Sequence, residues 1–131
     1  MASVNVRYIV HDVEASLGFY RDLLGFAVEQ HSGPGFAAVT RGELRLLLSS
    51  PREPRGGAVQ AMPDGTKPEP GGWNRIQLQV PDLEREIERL RPLGARFRNE
   101  IVQGKAGRQI LLEDPAGNFI ELFEPLERTR G

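Results

Sequence analysis

Chemistry near neutral pH needs nucleophiles, proton carriers or metal donors, and this chain holds few of each. It has no cysteine, which removes thiolate catalysis, a disulfide framework and cysteine-based zinc sites. Its only histidines are His11 and His31, so metal and acid–base chemistry are both limited from the start. No Gly-x-Ser-x-Gly elbow occurs. Gly104-Lys105-Ala106-Gly107-Arg108 lacks Walker spacing and falls between two strand patterns, so it is not a phosphate loop. What remains is a set of amides, guanidiniums and one carboxylate on alternating segments. These are Asn5 and Arg7, then Arg75 and Gln77, then Glu121, with the only tryptophan, Trp73, close to the second group. Such groups suit directed hydrogen bonds and stacking more than bond cleavage. Glu121 is the candidate catalytic residue, a base if buried, but no acid partner is evident beyond Tyr8.

Bulk properties set the frame for these residues. With 131 residues, the chain is expected to be a single domain, or two half-domains sharing a core. Its apolar share of 39% and charged share of 27% are those of an ordinary globular protein. A formal net charge of −1 offers no basic footprint for nucleic acid. No apolar run approaches membrane-spanning length, and the N-terminus lacks the basic-then-apolar build of a secretory signal. The expectation is a cytoplasmic protein with no nucleic-acid or membrane partner.

The elements that must position the polar set repeat at an offset of about seventy residues. Val4–Val10 alternates like a strand and runs into His11-Asp12-Val13-Glu14; residues 75–80 alternate likewise and run into Pro81-Asp82-Leu83-Glu84. Each aspartate is placed to cap a helix. Val13, Leu17, Tyr20 and Leu24 form one apolar stripe, and Leu83, Ile87 and Leu90 form the other. Gly25 ends the first helix, and Pro92 and Gly94 end the second. Three short strands follow each helix, at about 26–31, 36–40 and 43–48, and at about 96–102, 108–113 and 118–123. The pattern is βαβββ twice: module one about 1–50, a Pro- and Gly-rich connection at 49–72, module two about 73–125, and a polar tail at 126–131. The connection carries a turn signal at Pro63-Asp64-Gly65 and reads either as a plain spacer or as a lid.

Two stretches carry a family resemblance: Asp12-Val13-Glu14-Ala15-Ser16-Leu17-Gly18-Phe19-Tyr20-Arg21-Asp22-Leu23-Leu24-Gly25-Phe26 and Asp114-Pro115-Ala116-Gly117-Asn118-Phe119-Ile120-Glu121-Leu122. With the repeat between them, the chain resembles the vicinal-oxygen-chelate superfamily along nearly its whole length. That group includes glyoxalase I, extradiol dioxygenases, fosfomycin-resistance proteins and bleomycin-binding proteins. The resemblance implies an α+β fold in which two tandem βαβββ modules form cup-shaped mixed sheets with helices on the convex face. It also implies a homodimer, and a ligand or metal held on the concave side.

In metal-using members the ligands come from the first and last strands of each module. The resemblance places the first-strand positions seven residues before the capping aspartates, at Asn5 and Arg75. It places the last-strand positions near Leu46 and at Glu121. Asn, Leu, Arg and Glu make a poor donor set for a divalent metal, and His11 and His31 lie elsewhere. No metal and no cofactor are expected. Arg75 is either a replacement for the cation, paired with Glu121, or a separate solvated residue at a pocket rim.

Alternation then proposes the lining. Asn5, Arg7 and Ile9 face inward while Val4, Val6, Tyr8 and Val10 lie under the helices; Arg75, Gln77 and Gln79 face inward opposite Ile76, Leu78 and Val80. Phe119, Glu121 and Phe123 face inward opposite Ile120 and Leu122, with Leu46 and Leu48 completing the cup. Trp73 is either a stacking wall or a core or interface plug. The expected ligand site is thus Asn5, Arg7, Leu46, Leu48, Trp73, Arg75, Gln77, Phe119, Glu121 and Phe123. The leading expectation is metal-independent binding of a small planar or amphiphilic molecule, like the drug-sequestering antibiotic-resistance members. The alternatives are a lyase, isomerase or dioxygenase-like enzyme using Glu121, and a dimeric interaction module without a small ligand.

Overall fold

Two aspartates in extended conformation start the two helices. Asp12 accepts from the Ala15 amide and Asp82 from the Arg85 amide, each at 3.1 Å. Each satisfies an amide that a first helical turn leaves without an intrahelical partner. The structure is a computed structural model and describes residues 4–53 and 61–126. Helix α1 spans Val13–Gly18 and α2 spans Leu83–Leu90. The first helix continues as a π-helical turn, Phe19–Leu23, and closes where the Phe26 amide donates to the Tyr20 carbonyl beside Gly25. This wider turn keeps Val13, Leu17, Tyr20 and Leu24 buried on one side, as the stripe requires. The second helix tightens into a 3-10 turn at Arg91–Leu93 and stops at Gly94, whose φ of 91° is in the left-handed region that glycine tolerates.

Among the described residues, nine strands make two mixed sheets. The first contains β1 (Val4–Ile9), β2 (Ala27–Ser32), β3 (Phe36–Arg41) and β4 (Leu44–Ser49), in the order β1-β4-β3-β2. The second contains β5 (Ile76–Gln79), β6 (Arg96–Phe97), β7 (Val102–Gln103), β8 (Gly107–Glu113) and β9 (Phe119–Pro125), in the order β5-β9-β8-β6, with β7 also paired to β8. In both, the strand before the helix lies parallel to the last strand, and the other pairs are antiparallel. The sequence repeat is therefore a repeat of topology.

One strand departs from the sequence pattern. The expected strand at 96–102 is broken into β6 and β7, because residues 98–101 face only two residues of β8 between the paired positions Phe97↔Leu112 and Val102↔Gln109. Asn99 causes the break: its Oδ1 accepts from the Leu111 amide at 3.1 Å, replacing a ladder bond with a side-chain bond.

The chain divides into two compact units. One comprises Met1–Gly72 with Asp114–Asn118, the other Trp73–Glu113 with Phe119–Gly131. In the first, α1 packs on β3 and β4 over Val10, Val13, Leu17, Tyr20, Val39, Leu46 and Leu48. In the second, α2 packs on β9 over Leu83, Leu90, Ile110, Leu112, Ile120 and Leu122. A one-residue slip of β9 would expose Ile120 and Leu122, losing roughly 1.5–3 kcal/mol for each, and would push Glu121 under α2. The register is held by that asymmetry. In the connection, Gly65 N donates to the Met62 carbonyl and Thr66 N to Asp64 Oδ1, which forms the expected turn around Pro63-Asp64-Gly65. Residues 54–60 of the connection and 127–131 of the tail lie outside the described residues.

Candidate functional site

The face of the second sheet away from α2 collects the polar and aromatic residues of β5 and β9. The register pairs Gln77 with Glu121 and Gln79 with Phe123, so these side chains project to the same side. Ile76, Leu78, Ile120 and Leu122 are buried on the other. Glu121 is the anchor of the face: its side chain is only 10% exposed. Arg75 reaches Oε1 with Nη2 at 2.9 Å and Nε at 3.0 Å, and Gln77 Nε2 donates to Oε2 at 2.8 Å. Both carboxylate oxygens are thus occupied, and the buried charge is compensated. Arg75 Nη1 also donates to the Trp73 carbonyl at 3.3 Å, which ties the start of the strand to the ion pair. Trp73 lies against Phe119 with ring centroids 5.2 Å apart and planes tilted by 45°. With 66% of its surface exposed, Trp73 is not a core plug; it forms an aromatic shelf beside the Arg75–Glu121–Gln77 group.

The first sheet is arranged differently. Asn5 and Arg7 project from β1 on the side away from α1, while Tyr8 and Val10 carry the burial beneath the helix. Val4, at the open end of β1, is exposed. Parallel pairing places Arg7 beside Leu47, and Val6 and Tyr8 beside Leu46 and Leu48. Leu46 and Leu48 are fully buried on the helix side, so their expected place on the ligand face is corrected. The cause is a one-residue offset: Leu47, not Leu46, is the counterpart of Glu121. The residues of β4 that share the face of Arg7 are Arg45, Leu47 and Ser49. Arg45 is held by Glu29 (Nε to Oε1, 2.6 Å) and by Asn5 Oδ1 (3.3 Å). Arg7 Nη1 donates to the buried Ser49 Oγ at 2.7 Å. Ser49 was not among the expected residues, although its spacing of two from Leu47 is the signal that places it on this face.

The Asp114–Asn118 turn serves as an interior clamp. Asp114 is fully buried, and its carboxylate accepts from the Ala116 and Asn118 amides, from Asn118 Nδ2 and from the Tyr20 hydroxyl. Asn118 in turn donates to the Ile9 carbonyl at 2.8 Å and accepts from the Gly71 amide at 2.7 Å. Burial first, and the Asp114 charge and hydrogen bond next, raise the Tyr20 pKa well above the ordinary 10.0. A second carboxylate, Glu124, caps α2 from a distance: it accepts from the Leu83 amide at 2.7 Å and from Arg108 Nη2 at 2.9 Å. These two contacts, the amide first, hold its carboxyl below the usual value. Glu124 borders a cleft of about 580 Å³ lined also by Gln79, Val80, Pro81, Pro125 and Leu126.

The positions to which the family resemblance points for a metal offer few free donor atoms. Asn5 has its carbonyl oxygen engaged by Arg45, Leu47 has no donor atom, Arg75 is a fixed cation, and Glu121 has both oxygens filled. His31 Nε2 lies 2.7 Å from the exposed Glu14 carboxylate. Among the described residues no three His, Cys, Asp or Glu side chains are grouped as a metal ion requires. No helix among them is long and apolar enough to cross a membrane.

Repeat, topology and the Asp114–Leu122 turn and strand together define the class. The chain belongs to the Glyoxalase/Bleomycin resistance protein/Dioxygenase superfamily, whose family model matches residues 3–122. A superfamily member from Nocardioides is 26% identical, with a TM-score of 0.72 over 99% of this chain and 87% of that one. TnmS3, an antibiotic binding protein from Streptomyces sp. CB03234, is 24% identical, with a TM-score of 0.70 over 95% of this chain and 97% of that one. The lactoylglutathione lyase of Agrobacterium tumefaciens is 21% identical, with a TM-score of 0.72 over 94% of this chain and 92% of that one. No curated protein matches in sequence. A binder and a lyase thus resemble the chain to nearly the same degree, and the likeness of these two carries the fold alone.

Proposed function

We propose that this protein binds a small planar or amphiphilic organic molecule, without a metal, on the sheet faces that lie away from its helices. The observation that carries the reading is the state of Glu121. The family's carboxylate position is filled by a residue whose two oxygens already accept from Arg75 and Gln77. A metal there would have to displace a guanidinium and meet its repulsion. Beside that group, the exposed Trp73 on Phe119 offers a surface on which a flat molecule can stack, and Gln77 and Gln79 offer amides for orientation. An antibiotic-binding protein of the same fold makes a natural-product drug a reasonable ligand class. The test is a titration of chelator-treated protein with planar antibiotics, followed by the fluorescence of Trp73. Saturable quenching without added metal, weakened in Gln77→Ala, is expected. Binding that returns only with a divalent cation would overturn the reading.

Burial of Glu121 supports one competing reading, a lyase or isomerase in which this carboxylate takes a proton. It requires breaking the Arg75 or Gln77 contact during turnover. Glu121→Gln that abolishes a reaction while leaving ligand binding intact would establish it. The assembly we propose is a two-fold homodimer, since β1 and β5 stand at the ends of their sheets' strand orders. Light scattering at micromolar concentration checks it, and a strict monomer would refute it.

A further inference from the structure

The repeat lets each position on one sheet be compared with its counterpart on the other. Counted from the capping aspartates, Asn5 corresponds to Arg75 and Arg7 to Gln77. The registers then match Leu47 with Glu121 and Ser49 with Phe123. In the second sheet the cation meets a carboxylate on the neighbouring strand. In the first, Leu47 occupies the carboxylate's place, and Arg7 has no carboxylate partner among the described residues. The neighbouring guanidinium of Arg45 is already paired with Glu29.

Part of what surrounds Arg7 is apolar. Antiparallel pairing places Ala38 beside Leu47 and Phe36 beside Ser49 on the same side of the sheet. Ile9, Phe36 and Leu47 are half-buried there and Ala38 is fully buried. Ser49, with no exposed surface, holds one edge of the guanidinium through Nη1 and leaves its other N–H donors for a ligand. A guanidinium held at one edge, with no carboxylate partner among the described residues and apolar side chains beside it, has the build of an anion receptor. Arginine's planar fork matches a carboxylate or a phosphate in two parallel hydrogen bonds.

We propose that the face of the first sheet away from α1 is an organic-anion site. Arg7 takes the carboxylate or phosphate head of an amphiphilic ligand, and Ile9, Phe36 and Leu47 take its apolar body. The ligand supplies in the first sheet the charge that Glu121 supplies in the second. The proposal rests on the reading above that these faces receive the ligand, and it adds the ligand's charge.

The experiment is an NMR titration of the ¹⁵N-labelled full chain with benzoate, phenyl phosphate and the neutral benzamide. The Arg7 Nε–Hε and Ser49 amide signals report the first sheet, and the Trp73 indole N–H reports the second. Benzoate or phenyl phosphate should shift the Arg7 signal saturably, and benzamide should bind about tenfold or more weakly, the scale of one charge-assisted contact. Whichever anion binds more tightly identifies the headgroup. Arg7→Met should erase the preference for the anion. Ser49→Ala, which frees the guanidinium without removing it, should weaken the anion only in part. Equal shifts with benzoate and benzamide, or an unmoved Arg7 signal, overturn the proposal. If planar ligands still move the Trp73 signal in that case, the binding function stands and only its anionic class fails. If no probe moves either signal, both fail.

Discussion

The Tyr20 hydroxyl donates to Asp114 Oδ2 at 2.8 Å, joining positions 94 residues apart in the chain. Both groups are buried, so neither has water to replace the other. Tyr20→Phe leaves the buried Asp114 carboxylate short of one donor. We expect a loss of roughly 1.5–3 kcal/mol, the range for a hydrogen bond to a charged group. Chemical denaturation checks it, and a midpoint unchanged from the parent would show that the contact contributes nothing.

The same tyrosine sets an alkaline limit. Its folded pKa is raised above 10.0, by burial first and by Asp114 second. Below pH 10 it is protonated in both states, and its contribution to stability is complete. Above that, the unfolded chain releases its proton first, so stability falls as pH rises towards the folded value. Melting curves from pH 8 to 11 should show this decline, shallower in Tyr20→Phe. Identical slopes in the two proteins would contradict it.

Arg75 and Glu121 should behave as one unit. Arg75→Met leaves the buried Glu121 carboxylate without its cation, at a cost of ~1–3 kcal/mol; Glu121→Gln leaves only the exposed Arg75 unpaired and should cost less, and the double variant should lose less than the sum. A double-mutant cycle by denaturation gives the coupling directly. Additive effects would mean that the pair contributes no net stabilisation.

Metal removal should be silent. Elemental analysis of untagged protein is expected to find no stoichiometric zinc, nickel, iron or manganese, and EDTA should leave the melting temperature in place. A bound equivalent whose removal lowers that temperature would refute the reading of Asn5, Leu47, Arg75 and Glu121.

Gly107 tests the hairpin that presents Glu121. A Cβ at this position would run into the Glu124 carbonyl oxygen and crowd the Phe123 ring. Because the first obstacle is backbone of the paired strand, β8 and β9 must move apart. Gly107→Ala is expected to cost about 1–3 kcal/mol, as overpacking does. A fully stable variant would place the β8–β9 pairing in question.

The alternation of Tyr8, Val10, Ile76, Leu78, Ile120 and Leu122 made both modules readable as sequence, because each is half of a period-two pattern with one buried face. The same logic failed at Leu44–Ser49, where Leu46, Leu47 and Leu48 run together. A continuous apolar run carries no phase, and only pairing with β1 shows that Leu47 faces away from the helix. The break between β6 and β7 was equally hidden, since it depends on where the Asn99 amide finds its partner. The aspartates at 12 and 82 announced their helices, because capping is a local contact. The interior role of Asn118 was not legible, for its partners Ile9 and Gly71 are remote in sequence.

The Asp114–Asn118 turn lies between β8 and β9 of the second repeat yet belongs to the first unit. A half-length chain ending at Gly72 would therefore not be a smaller version of the first unit. Its Tyr20 hydroxyl, Ile9 carbonyl and Gly71 amide would all lose the groups that satisfy them. Of these only Tyr20 is buried, and an orphaned buried polar group costs about 1–3 kcal/mol, a sizeable share of the stability of a small domain. The two repeats are alike in plan but not autonomous. A chimaera that exchanges one half for that of a relative must bring a turn whose aspartate fits the other half's tyrosine and whose asparagine fits its Ile9 carbonyl and Gly71 amide.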